Sequence, residues 1–204
     1  GWGALEAIEP DERDALLTLL AIYDLWTAPL SETGGRERYQ NHPAVSALKW
    51  RLEAAFVEWL RTRTGPVDPL ERPAIEPAVE DPAIDVAAAL RRVAARDLVP
   101  AVYEWLADAA TWPELVDFVA LEGGPDADFD DLVALVQVGI SGDPKVALAA
   151  NYWDEMGRGD LSAVHTVLHD RLVEAIAMPR LDRADLPVSA LERKAMSGLL
   201  ITNR

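Results

Sequence analysis

The chain has 204 residues, a formal net charge of −16 and 50% hydrophobic residues, enough to fill the core of a single domain over 1–204. It has no cysteine, which excludes disulfides, thiolate nucleophiles and Cys-ligated metals. The acidic balance argues against nucleic acid and anionic membranes as partners, since both need a basic footprint, and no apolar run approaches the roughly 20 residues of a membrane span. No signal peptide is visible at the Gly1-Trp2-Gly3 start, so the expected location is the cytoplasm.

The first predicted helix runs from Asp11 to Trp26, with Leu16, Leu19, Leu20 and Tyr23 on one face at helical spacing. Thr27 to Asn41 reads as a polar loop around Pro29 and Gly34-Gly35. Pro43 sits well in a first turn and opens a helix to about Arg63, striped by Val45, Leu48, Leu52, Ala55 and Trp59. The segment 65–82 holds Pro66, Pro69, Pro73, Pro77 and Pro82 and reads as a linker, because that proline density prevents a regular helix.

Shorter helices follow at Ile84 to Arg96, Val99 or Pro100 to Ala110, and Pro113 to Glu122, the last stopped by Gly123-Gly124-Pro125. Asp128 or Asp130 caps a helix through Ile140, and Pro144 starts the next. Asp160 is expected to cap a helix through Ala177 that carries His165 in its second turn. Ser189, with Glu192 in the reciprocal position, is expected to cap a last helix toward Ile201. Alternation with period two is nowhere sustained, so the predicted fold class is an all-α helical bundle.

Three groups of metal-ligand type stand out. Glu122 extends the stripe of Leu115, Phe118 and Val119, although an acid at a helix C-terminus is disfavoured by the macrodipole. His165 has Leu161, Leu168 and Leu172 at −4, +3 and +7, a pattern that also fits a hydrogen-bonded core imidazole. His169 invites a His-x3-His reading, but Asp170 and Arg171 place it nearer the solvent edge. Glu155 shares a face with Leu148, Asn151 and Tyr152, and a solvated helix end is the plainer account of it. Gly157 and Gly159 break the chain between Glu155 and His165, which aims two helix ends at one point. Carboxylates with imidazole suit iron or manganese, and fewer than four protein ligands leaves open positions.

The segment Leu121-Glu-Gly-Gly-Pro-Asp126, and above all Asn151-Tyr-Trp-Asp-Glu-Met-Gly-Arg-Gly-Asp160 followed by His165, resembles the iron-containing redox enzyme family, the haem-oxygenase-like di-iron oxidases and oxygenases. The resemblance is read from about Asp11 onward. It implies a haem-oxygenase-like bundle without haem, two iron ions, activation of O2, an external electron donor and a small amino-acid-derived or fatty-acid-like substrate. Glu122, Glu155 and His165 would be metal ligands, with Asn151 and Tyr152 orienting them or lining the pocket and Phe118 excluding water.

The family's later His-x3-Asp-x2-His helix has no counterpart, since the three histidines are His42, His165 and His169. The chain is therefore expected to be part of such an enzyme, incomplete at its C-terminal side. An uncovered apolar side predicts self-association, most simply as a homodimer. The competing expectation is a metal-free acidic helical binding or assembly module.

Overall fold

Helix formation follows the apolar spacing, and every regular element among the described residues is helical, as the predicted all-α class requires. The computed structural model describes residues 12–64, 91, 95, 100–122, 129–179 and 181–199. The predicted linker at 65–82 and the helix expected over 84–96 lie outside these residues, apart from positions 91 and 95. The helices are α1 (Glu12–Thr27), α2 (Leu30–Thr33), α3 (Pro43–Thr64), α4 (Ala101–Asp108), α5 (Trp112–Glu122), α6 (Phe129–Val136), α7 (Asp143–Glu155), α8 (His165–Ala175) and α9 (Val188–Gly198).

They fall into two units. One contains α1, α2, the start of α3 and everything from Trp112 on, and the other runs Ala55–Thr111. In the second, Phe56 is buried and stacks on Trp59 at 5.7 Å between ring centroids, and the Arg63 guanidinium lies 5.0 Å over the Trp59 ring. On α4, Val102, Tyr103 and Trp105 are exposed.

The core of the first unit is laid down by α1 and α9. The predicted stripe of α1 is buried at Leu16, Leu19, Leu20 and Tyr23, and Ile22 joins it. Opposite stand Ala190, Leu191 and Ala195 of α9, and Leu191 is 0% exposed, which contributes about 2–3 kcal/mol for a leucine removed from water. Contact is close enough to need a glycine: a Cβ on Gly198 would stand 2.1 Å from Tyr23 Cε2.

Two arginines fasten the approach to α9 onto α1. Arg13 donates to the carbonyls of Ala184 and Leu186, and Arg183 pairs with both oxygens of Asp24 at 2.6 and 3.0 Å. Behind this layer the Tyr23 hydroxyl donates to buried Glu53 on α3 at 3.0 Å, and Lys49 balances that carboxylate at 3.3 Å.

Several boundaries depart from the sequence reading. The loop expected over 27–41 contains α2 and a 3-10 turn at Arg36–Tyr39, each bounded by glycine in the left-handed region. Helix α6 stops at Val136 rather than Ile140, where Gly139 takes φ +84. Pro187, not Ser189, precedes α9, and no side chain caps it, because proline already sets the first-turn geometry.

Candidate metal centre

The site is built where α7 ends and α8 begins. Pro144 lies in the first turn of α7, which carries Asn151, Tyr152 and Glu155 in its final turns. The chain then passes through three successive left-handed residues, Gly157 (φ +59), Arg158 (φ +55) and Gly159 (φ +89). For a non-glycine residue this conformation costs on the order of 1 kcal/mol. Arg158 is held there by its ion pair to Asp154 at 2.8 Å, one turn back on α7.

Gly157 is required for a second reason. A Cβ at that position would stand 2.5 Å from the carbonyl carbon of Ala163 and 2.6 Å from the amide nitrogen of Val164. The loop therefore folds back until its far end touches its beginning, and the residue after Val164 is His165. Asp160 shapes the middle of the loop. Its carboxylate accepts from the Ser162 hydroxyl at 2.7 Å and the Ser162 amide at 2.8 Å, which holds it below the usual carboxylate range. Arg171 on α8 donates to the Ser162 carbonyl at 2.9 Å and closes the turn from the other side.

This changes the predicted place of His165. Asp160 caps only a 3-10 turn, Leu161–Ala163, because its side chain bonds two residues ahead; Val164 is then extended and breaks the run. His165 is the first residue of α8, not a member of its second turn. Its side chain is 49% exposed, and Leu161, Leu168 and Leu172 are exposed as well, so the expected buried stripe faces outward. His169, expected nearer the solvent, is half-buried, and its Nε2 is buried without a hydrogen-bond partner among the described residues.

The fold-back brings two predicted ligands together. His165 Nδ1 lies 2.6 Å from Glu155 Oε2, and the Glu155 side chain is only 16% exposed. A carboxylate oxygen and an imidazole nitrogen facing each other at that distance repel unless a proton lies between them, so the contact is a hydrogen bond from Nδ1–H to Oε2. An oxygen and a nitrogen donor on one point are the donor types that iron takes in mixed sites. The C-terminal carbonyls of α7 add negative potential beside Glu155, which favours a cation there.

Of the other residues named from the sequence, Asn151 is exposed, while Tyr152 and Phe118 are half-buried on α7 and α5. Glu122 closes α5 as expected, and its side chain lies outside the described residues. No group of three or more His, Cys, Asp or Glu converges among the described residues, so the Glu155–His165 pair stands without a third ligand there.

Residues 117–203 match the family model of the iron-containing redox enzymes. The family resemblance read from the sequence holds over that stretch, which is less than half of the chain and begins well after Asp11. Phe118, Glu122, Asn151, Tyr152, Glu155 and His165 all lie inside it. The match supports an iron-dependent redox function in general terms. No curated protein and no solved structure matches the chain. No helix among the described residues is long and apolar enough to cross a membrane.

Proposed function

We propose that the chain is a cytoplasmic non-haem iron oxidase or oxygenase, with Glu155 and His165 as metal ligands and Glu122 as a third. The observation that carries this reading is the 2.6 Å approach of Glu155 to His165 across a loop whose glycine admits no side chain. Bound iron, two ions in the full reading, would supply O2 binding and one-electron chemistry, with an external donor restoring the reduced state.

The chain's own residues do the rest. Glu155 and His165 hold the cation and, in its absence, a proton between Oε2 and Nδ1. Tyr152 and Asn151, three and four positions before Glu155, orient it or line the pocket for a small amino-acid-derived or fatty-acid-like substrate. Phe118 keeps water from the reacting centre. A homodimer would cover the exposed leucines around His165.

The test is iron content after anaerobic loading with ferrous iron. Glu155→Ala and His165→Ala should each bind clearly less iron than the parent. Parent-level iron in both variants would sink the ligand assignment. A second reading, a metal-free acidic helical module, draws on the exposure of Leu161, Leu168 and Leu172 beside His165. It predicts no specific iron in the parent or in either variant.

A further inference from the structure

The hydrogen bond from His165 Nδ1 to Glu155 fixes more than the direction of the ring. With the proton on Nδ1, the lone pair of the neutral imidazole is on Nε2, at the far side of the ring from Glu155. The Glu155 side chain is the shielded member of the pair and the His165 side chain the accessible one, so a cation can reach the imidazole from solvent. A carboxylate that holds one ring nitrogen and leaves the other free is the arrangement that orients histidine ligands in metal sites and raises their basicity.

His169 brings a second nitrogen. It follows His165 by four residues within α8, so the two rings rise from one helix face a single turn apart, with about 5–6 Å between their Cβ atoms. That is the spacing at which two histidines share a metal ion on one helix. His169 is half-buried, and its Nε2 is buried without a hydrogen-bond partner among the described residues. A histidine held in place by packing alone would ordinarily pair that nitrogen, since a buried polar atom left unpaired costs about 1–3 kcal/mol. A cation at Nε2 would remove that cost.

We infer that His165 and His169 form a two-histidine site for a nitrogen-preferring divalent cation such as nickel(II) or zinc(II), with Glu155 orienting His165 from behind and water at the remaining positions. The Glu155–His165 hydrogen bond stays intact when this site fills. In the proposed iron centre Glu155 instead gives an oxygen to the metal. The two readings share His165 and no other ligand.

The experiment is a calorimetric titration of nickel(II) into the 204-residue chain and into His169→Ala, His169→Asn, His165→Ala and Glu155→Gln, with the metal-free proteins melted alongside. The His169 variants should bind nickel about a hundredfold or more weakly, because a second donor tethered beside the first multiplies affinity by that order. Asparagine fills part of the space of the ring without Nε2 and carries the measurement if the alanine variant does not fold. His165→Ala should lose as much. Glu155→Gln keeps an oxygen acceptor for Nδ1–H and should lose only about tenfold.

Parent-like nickel affinity in the folded His169 variants overturns the inference and leaves the iron assignment of Glu155 and His165 as it stands. A loss in Glu155→Gln as large as that in His165→Ala also overturns it, because the carboxylate would then be a direct ligand. Parent-like nickel affinity in His165→Ala overturns it as well, while loss of iron in the same variant would still uphold the iron reading.

Discussion

Substituting Gly157 by alanine tests the fold-back that joins Glu155 to His165. The new Cβ would stand 2.5 Å from the Ala163 carbonyl carbon, so the 163–164 backbone must retreat by about 0.9 Å to reach the ordinary contact distance of 3.4 Å. His165 follows directly and moves with it. Overpacking of this kind costs about 1–3 kcal/mol, and the left-handed conformation adds on the order of 1 kcal/mol.

Gly34 provides the control. It has nearly the same φ, +58 against +59, but nothing lies within 4 Å of its would-be Cβ. Gly34→Ala carries the conformational cost, and the gain from a stiffer unfolded chain, without the clash. The difference between the two variants isolates the clash. For a chain of this size it amounts to a melting temperature lower by about 2–12 °C in Gly157→Ala.

Calorimetric melting of both variants, with ferrous iron titrated anaerobically, provides the readout. Gly157→Ala should also lose iron affinity by about tenfold, while Gly34→Ala keeps it. Equal melting temperatures and parent-like iron binding in Gly157→Ala would refute the fold-back as the device that forms the site.

Two further predictions concern the core. Gly198→Ala drives a methyl group into the Tyr23 ring, 2.1 Å from Cε2, and should cost about 3 kcal/mol, read as a lower urea midpoint; an unchanged midpoint would contradict the packing. Burial first, and then the neighbouring Glu53 carboxylate, raise the Tyr23 hydroxyl above its ordinary 10.0. A raised folded value means that this stability is fully present below about pH 10 and is lost as the pH rises further, when the unfolded chain ionises first. Chemical unfolding between pH 9 and about pH 12 should therefore show a steeper alkaline loss in the parent than in Tyr23→Phe, and identical slopes would refute the coupling.

Features set by local spacing were legible in the sequence. The α1 stripe, the start of α3 at Pro43 and the break at Gly157 and Gly159 follow from helical period, proline at a first turn and glycine at a left-handed end. His165 was misplaced within its helix because the Asp160 side chain satisfies a short turn as well as it would a helix, and sequence alone does not separate the two. Leu161, Leu168 and Leu172 have the spacing of a core face, yet they are exposed, since spacing shows that a stripe exists but not what covers it. The hydrogen bond from Arg193 to the Leu121 carbonyl and the approach of Gly198 to Tyr23 left no sequence signal, because each joins positions far apart in the chain.

The core of the first unit is closed by its first and last described helices, and this has a consequence during synthesis. The stripe on α1 is made early, but its partners Leu191 and Ala195 emerge only after more than 150 further residues, which takes roughly 10–30 s at ordinary translation rates. For that interval Leu16, Leu19 and Leu20 lack the cover that the last helix gives. The nascent chain should then depend on chaperones that hold exposed leucines, and its yield should respond to translation speed more than its final stability would suggest.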